Sequence, residues 1–454
     1  MDTSYKVCPF EWRYGSQELR ELLSRENFVE VMKRVELALL EALVEIGIAP
    51  RKALVEAKKA AERIDAKMVY EEEKKIGHEV AALVSLLGRY GGREASRWIH
   101  YGATSNDIID TAWSLVLREA LSTIRGKLRS IVGTLSNLAL EYRNTLMVGR
   151  THGQHATPIT LGFKFANYVY ELARSYERIC SLEPRLVRAK LGGATGTLSA
   201  YGDKALEVRR LFSEKLGLEI HPISTQVAPR DSLAELAYVF AILASQLDRL
   251  AVEVRELSRP EIAELWEERL GAISSSSMPQ KNNPITAERV SGLARVARTL
   301  TDGLLENIVL WHERDLSNSS TERILVPHIL LVIDQLLTDA QNLLDRLIVS
   351  PENMKRNIEK TMYIATAEAL MNKLIERGLA REEAYTLARH ATGIALKKKI
   401  PLWEAAQSIP DIRQHLEGVD LEELLRPENY IGSVDRLISS ALAYYRDVVE
   451  KCRY

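Results

Sequence analysis

Residues Ser274-Ser275-Ser276-Ser277-Met278-Pro279-Gln280-Lys281-Asn282-Asn283-Pro284 crowd four hydroxyls, an ammonium and two asparagine carboxamides into one short stretch. Serine disfavours helix interiors and prefers caps and turns. The stretch therefore reads as a loop that offers a hydroxyl, a cation and amides to one anion. Pro284 suits the first turn of a following helix, whose free N–H groups would face the same anion. Four more polar clusters interrupt the chain: Arg13-Tyr14, His100-Tyr101-Gly102-Ala103-Thr104-Ser105-Asn106-Asp107, Arg150-Thr151-His152-Gly153-Gln154-His155, and the run from His312 to Arg323. His78 and Gln226 are lesser candidates. Plainer readings exist: Thr104-Ser105 and Ser319-Ser320-Thr321 have the composition of helix N-caps. His152 and His155 have the spacing of a metal pair, but no H-E-x-x-H order supports one, so no metal is expected. Together the clusters hold proton donors and acceptors, an oxyanion loop and guanidinium groups, which is the equipment for proton transfer on a polyanion. A β-elimination needs that set: a base beside a carboxylate, a place for the charge, and an acid for the leaving group.

The elements that must position these clusters read as helices throughout, so the fold class is all-α. Leu117, Leu121, Ile124, Leu128, Ile131, Leu135 and Leu138 step by four and three, as do Leu233, Leu236, Phe240, Leu243, Leu247, Leu250, Val254 and Leu257. Shorter series run from Leu293 to Ile308 and from Ile329 to Leu347, the latter with a kink expected at Pro327. Such narrow seams belong to long helices packed lengthwise and to a homo-oligomer. Three regions separate: an N-terminal helical domain over 1–104, a long-helix bundle over 105–350, and a C-terminal helical domain over 351–454, broken by Gly378, Pro401, Pro410 and Pro427. No strand or hairpin signal stands out. The segment Gly192-Gly193-Ala194-Thr195-Gly196-Thr197 lacks both the P-loop ending and the G-x-G-x-x-G spacing, and reads as a loop beside a pocket.

The totals narrow the field. The chain has 454 residues with 46% hydrophobic and 27% charged, a balance typical of globular domains. A formal net charge of -1 recommends neither nucleic acid nor an acidic membrane as partner. Three widely spaced cysteines, Cys8, Cys180 and Cys452, indicate neither a disulfide framework nor a zinc site. The first ten residues lack the pattern of a signal peptide, and no uninterrupted apolar run is long enough to span a bilayer. A cytoplasmic location is expected.

The loop S-S-x-M-P-x-K-x-N-P resembles the signature of the aspartase/fumarase superfamily, which eliminates fumarate from succinyl compounds. Within it the chain resembles the adenylosuccinate lyase family, through Arg13-Tyr14-Gly15-Ser16, His100-Tyr101-Gly102-x-Thr104-Ser105-x-Asp107, Arg150-Thr151-His152-Gly153, Thr225-Gln226-Val227, Trp311-His312-Glu313-Arg314-Asp315, Ser319-Ser320-x-Glu322-Arg323 and Ser350-Pro351-Glu352-Asn353. The resemblance implies Ser275 as the base for the Cβ proton and His152 as the acid for the departing nitrogen. It implies Lys281 and Asn283, assisted by Ser276, as holders of the aci-carboxylate. His78 would support His152, and Glu288 would orient groups around it. His100, Thr104, Ser105 and Gln226 would line the pocket and orient the substrate. Arg13, Tyr14, Arg314, Ser319 and Arg323 would bind the nucleotide and its phosphate. Where the family commonly has Gly the chain has Ser274, so neighbours of Ser275 stay open as the base. A serine hydroxyl is a poor base until lysine, N–H groups and exclusion of water activate it.

The implied fold is three all-α domains whose long helices assemble a homotetramer with shared active sites, using no cofactor and no metal. The implied reactions release fumarate from adenylosuccinate, giving AMP, and from the succinylated aminoimidazole carboxamide ribotide (SAICAR), giving AICAR, in purine biosynthesis. Argininosuccinate lyase, fumarase and carboxymuconate cycloisomerase share the serine loop and are the nearest rivals. Only a nucleotide substrate needs the phosphate cluster from Ser319 to Arg323. A non-catalytic helical assembly is the rival of a different class.

Overall fold

The computed structural model describes residues 7–268, 278 and 280–452. The fold is all-α, as the seams predict. Its contacts divide it into two compact units, one of Met1–Lys127, Glu177–Ser245 and Gly292–Thr338, the other of Leu128–Tyr176, Gln246–Ser291 and Asp339–Tyr454. The long elements are the helices Ser105–Glu141, Leu161–Leu186, Asp231–Leu257 and Ser317–Asp345.

In the first unit, the helices Arg25–Glu45 and Glu79–Gly91 bury Met32, Leu39, Leu43, Leu83 and Leu87. The seam residues Leu121, Ile124, Leu236, Phe240, Leu243, Ile329 and Ile333 are also buried. Each such side chain contributes about 1.5–3 kcal/mol, far more than the few tenths by which helix propensities differ. Pro327 lies inside the Ser317–Asp345 helix, ten residues past its start, and removes one N–H from the ladder.

In the second unit the seams continue through Leu128, Ile131, Leu135, Leu247, Leu250 and Val254, all buried. Leu161–Leu186 is a fifth long apolar series, buried at Phe165, Val169 and Leu172 here, which the four-seam reading missed. Residues from Ala369 to Leu425 enclose a core of their own, built on Leu370, Leu374, Ala391, Leu402, Ala405 and Ile412.

The absence of strands is corrected. Strand β1, Leu146–Thr151, pairs antiparallel with β2, Gln154–Thr160. Its alternation is hard to read because the register shifts between Val148 and Arg150 and Pro158 sits opposite Val148. At the shift a Cβ on Gly149 would lie 2.8 Å from the Thr157 carbonyl, so the bulge requires glycine. Two minor pairs join Arg188–Ala189 to Glu219–Ile220 and Leu265–Glu267 to Leu347–Val349.

Among the described residues Cys8 is a free cysteine. Ser317–Asp345 is long and apolar enough to cross a membrane by length and composition, yet 61% of its apolar window is buried within the protein. With Asp334 and Asp339 also buried, that helix has the character of a core element. Among the described residues no group of histidines, cysteines and carboxylates could hold a metal.

Candidate active site

In the first unit, the His100–Asp107 segment is built around one carboxylate. Asp107, wholly buried, accepts from Lys190 Nζ at 2.6 Å and the Gly192 N–H at 2.8 Å on one oxygen. Its other oxygen accepts from the N–H groups of Gly193 at 3.0 Å and Thr104 at 2.8 Å. One side chain thus ties the segment carrying Thr104 and Ser105 to the Gly-rich loop, which is a clamp and not a nucleotide fingerprint. A Cβ on Gly196 would fall 2.1 Å from the Ser224 carbonyl, so the loop presses against the Thr225-Gln226 segment. Lys190 Nζ also donates to the Gln226 carbonyl at 2.6 Å.

Gln226 is held at both ends of its amide. Its Nε2 donates to the Ala194 carbonyl at 2.7 Å, and its Oε1 accepts from Arg314 Nη1 at 2.9 Å. Sequence candidates 88 residues apart, Gln226 and Arg314, are therefore in direct contact. Arg314 keeps a buried Nε with no hydrogen-bond partner among the described residues. Burial pushes its guanidinium pKa down, and Arg230 and Arg323 add to that against Asp110 and Glu322.

One turn beyond Asp107, Asp110 forms a fork with Arg230 (2.9 and 3.1 Å) and accepts the Ala228 N–H at 2.8 Å. Burial opposes its charge, yet Arg230 and the Ala228 N–H prevail and lower its pKa. Arg230 Nε forms an ion pair with Glu322 Oε1 at 2.8 Å. Burial raises the Glu322 pKa against that attraction. Asn318, beside Ser319, donates to Glu322 at 2.9 Å, and Glu322 immediately precedes Arg323. Arg323 is exposed.

His78 caps the helix Glu79–Gly91: its Nδ1 accepts the Ala81 N–H at 3.3 Å. Its Nε2 lies 3.1 Å from Ser105 Oγ. Nδ1 being an acceptor, Nε2 carries the proton and donates to the serine. His100, at φ 59°, places Nδ1 at 2.7 Å from Glu36 Oε1.

Arg13 and Tyr14 are anchored by the residues after them. The Gly15 N–H donates to Gln335 Oε1 at 2.8 Å and the Ser16 N–H to Asp334 Oδ2 at 2.6 Å. Gly15 has φ 81°, and a Cβ there would meet Leu331 at 2.8 Å. The pair is thus docked on the helix that carries Ser319 and Arg323 near its start.

In the second unit, His152 sits at the tip of the β1–β2 hairpin. Thr151 and Gln154 pair across a two-residue turn in which His152 has φ 54° and Gly153 φ 72°. Positive φ at both positions is the type I′ turn whose twist matches a hairpin. His152 is exposed at this tip. Arg150, at the base, forks onto buried Glu264 at 2.7 and 2.8 Å, and Asn357 donates to the same carboxylate at 2.7 Å. The Arg150 side chain therefore fixes the hairpin.

The helix Ile285–Thr299 follows Pro284 as expected. Its first turn is not left open to an outside anion, however: the Thr286 N–H donates to the Glu267 carboxylate at 2.9 Å. Asn282 Nδ2 donates to the Glu267 carbonyl at 3.2 Å, so Asn282 is drawn toward the same strand. Lys281 is exposed, Asn283 half-buried, and Glu288 exposed in the first turn of the helix. Ser275 and Ser276 lie outside the described residues.

The structure thus gathers His78 with Ser105, Thr104 with the Gly-rich loop, and Gln226 with Arg314. Sequence reading missed Lys190, Arg230, Glu36, Glu264 and Glu267, and gave Asp107 and Asp110 no role. The i, i+3 spacing of Asp107 and Asp110 was one available signal; a lysine just before Gly192-Gly193 was another.

Two family models match the chain: one described as lyase over residues 14–298, the other as adenylosuccinate lyase C-terminus over residues 364–441. The adenylosuccinate lyase of Methanothermobacter thermautotrophicus is 42% identical over 440 residues, covering 96% of this chain and 98% of that one. That of Pyrococcus horikoshii is 39% identical over 449 residues, covering 97% and 98%. Among solved structures, the 3-carboxy-cis,cis-muconate lactonizing enzyme of Pseudomonas putida superposes with a TM-score of 0.88 at 32% identity, covering 97% of this chain and 99% of that one. The fumarate lyase of Mesorhizobium sp. BNC1 does so with 0.87 at 29%, covering 94% and 98%. Full-length likeness to curated adenylosuccinate lyases, with the C-terminal match, places this chain in the adenylosuccinate lyase family.

Proposed function

We propose that the protein eliminates fumarate from adenylosuccinate, giving AMP, and from SAICAR, giving AICAR. The observation that carries the reading is full-length identity of 42% to a curated adenylosuccinate lyase, joined to the C-terminal family match. Ser275 takes the Cβ proton of the succinyl group. The electron pair forms the alkene as the C–N bond breaks, and the neighbouring carboxylate carries the intermediate charge as its aci form. Lys281 and Asn283, with Ser276, hold that carboxylate; His152 gives a proton to the departing nitrogen. The geometry supports the acid, since a rigid hairpin tip presents an exposed imidazole with little reorganisation. A general acid typically contributes 10²–10⁴-fold.

His78 supports His152, and Glu288 orients groups around it. His100, Thr104, Ser105 and Gln226 position the substrate. Arg314, linked to Gln226, joins Arg13, Tyr14, Ser319 and Arg323 in holding the nucleotide and its phosphate. The unpaired Nε of Arg314 and the carboxylates that anchor its neighbours suit a cation kept ready for an anionic ligand. The proposal extends to a homotetramer with shared active sites, to the three regions 1–104, 105–350 and 351–454, and to a cytoplasmic setting.

The test is an ultraviolet assay of the purified protein with adenylosuccinate, following AMP and fumarate, with argininosuccinate, malate and a carboxymuconate in parallel. Turnover of adenylosuccinate alone is expected. Turnover of another substrate instead would keep the elimination and overturn the phosphate-site reading. No turnover by a properly assembled protein would favour a structural role.

A further inference from the structure

His100 has a partner that the reaction, as described, does not use. Glu36 lies mid-helix in Arg25–Glu45 with no exposed surface, and its Oε1 sits 2.7 Å from His100 Nδ1. Its other oxygen is buried without a hydrogen-bond partner among the described residues. A wholly buried carboxylate with one idle oxygen is expensive to keep. His100 itself is held at φ 59°, a left-handed conformation that costs a non-glycine residue of order 1–2 kcal/mol. Two local costs meet at one contact beside Thr104 and Ser105, the pattern of a place selected for something other than stability.

We propose that Glu36 is a positioning residue: its buried carboxylate accepts a hydrogen bond from the Nδ1–H of His100, fixes the ring, and leaves the outer Nε2 edge as a donor to an anionic group of the substrate. The inference rests on reading His100 as a residue of the substrate pocket. The His100 side chain keeps 22% of its surface exposed while that of Glu36 keeps none, so the open part of the ring lies away from Nδ1. Burial alone would push the imidazole pKa down; the Glu36 charge, its hydrogen bond and Asp107 outweigh burial and raise it. Among the described residues the charged groups acting on the ring are Glu36 from its helix and Asp107 from the Ser105–Glu141 helix, and the Tyr201 hydroxyl donates to the carbonyl of the neighbouring Tyr101 at 3.0 Å. Asp107 is already engaged by Lys190, and burial pushes the Tyr201 phenol up, keeping it neutral. Glu36 is therefore the anion that sustains the imidazolium.

The sign follows: the cationic ring is present below its raised pKa and lost as pH climbs through it. KM for adenylosuccinate should stay low over that range and rise beyond it. Glu36→Gln keeps shape but removes charge. It is expected to raise KM about tenfold near neutral pH and to move the rise in KM down by roughly one pH unit, with kcat changed less. In a His100→Gln background the same change should alter KM less than about twofold, because the two act as one unit. A KM unmoved by His100→Gln would overturn the pocket reading of His100 and the inference with it. A KM raised by His100→Gln with a pH profile unmoved by Glu36→Gln would overturn the Glu36 role alone. If Glu36→Gln does not fold, Glu36→Asp, which retains charge at longer reach, should shift the profile in the same direction; an unshifted profile would count against the proposal.

Discussion

Replacing Asp107 with Asn keeps the volume and removes the charge on which four donors converge. A carboxamide can accept at one oxygen only. The Lys190 ammonium and the Gly192 N–H can share it, while the amide NH₂ is turned against the N–H groups of Gly193 and Thr104. Lys190 then stays wholly buried with the Gln226 carbonyl as its acceptor. Breaking one side of a buried ion pair costs about 3–5 kcal/mol, and stranded buried donors add about 1–3 kcal/mol. A total of about 4–8 kcal/mol, in a cooperative unit of roughly 200 residues, corresponds to a fall in Tm of roughly 10–30 °C. Differential scanning calorimetry reads it directly. The double variant Asp107→Asn with Lys190→Met removes the orphaned cation and should recover at least half of the loss. A single variant that lowers Tm by less than about 3 °C, or a double variant less stable than the single, would refute the clamp as the organiser of this segment.

Other perturbations separate chemistry from scaffold. His152→Gln should lower kcat about 10²–10⁴-fold with Tm nearly unchanged, since the ring is exposed; steady-state kinetics beside a melt decides it. Arg323→Ala should raise KM about tenfold with kcat nearly preserved; an unchanged KM removes Arg323 from phosphate binding. Gly153→Ala, at φ 72° in the hairpin turn, introduces strain of about 1 kcal/mol beside His152, so kcat should fall more than Tm; calorimetry and kinetics on one preparation compare the two. Asp110 has its pKa lowered, so it stabilises the fold above the usual aspartate range and loses that contribution as pH falls through its folded value. Asp110→Asn should therefore lower Tm at neutral pH and flatten its decline toward acid, whereas parallel pH curves would show that Arg230 does not depend on that charge.

The long helices were legible because a 3.6-residue period repeated over about six or seven turns is hard to mistake: Leu121, Ile124, Leu128 and Ile131 are all buried. The hairpin was not, because the bulge at Gly149 and the proline at 158 break the alternation that marks a strand. The place of His152 was not legible either, since it depends on that turn. Glu267 shows a different limit. The sequence argues for an open helix start after Pro284, but only the fold brings a carboxylate from 19 residues earlier onto the Thr286 N–H. Lys190 and Glu36 are ordinary residues in ordinary helical or loop contexts. Burial makes them significant, and burial of one polar residue among many is not a local property of sequence. The serine loop is the reverse case: its chemistry is plain from composition, while Ser275 and Ser276 lie outside the described residues.

The cap formed by His78 has a consequence for proton traffic. Its Nδ1 is spent on the first turn of a helix, holding the Ala81 N–H, so only Nε2 is at liberty to exchange. A histidine that relays protons receives at one nitrogen and releases at the other. His78 has one door, opening on Ser105. It is a fixed donor and not a conduit: with Nδ1 accepting, the ring offers one N–H, which can hold the Ser105 hydroxyl but cannot relay a proton without uncapping the helix Glu79–Gly91.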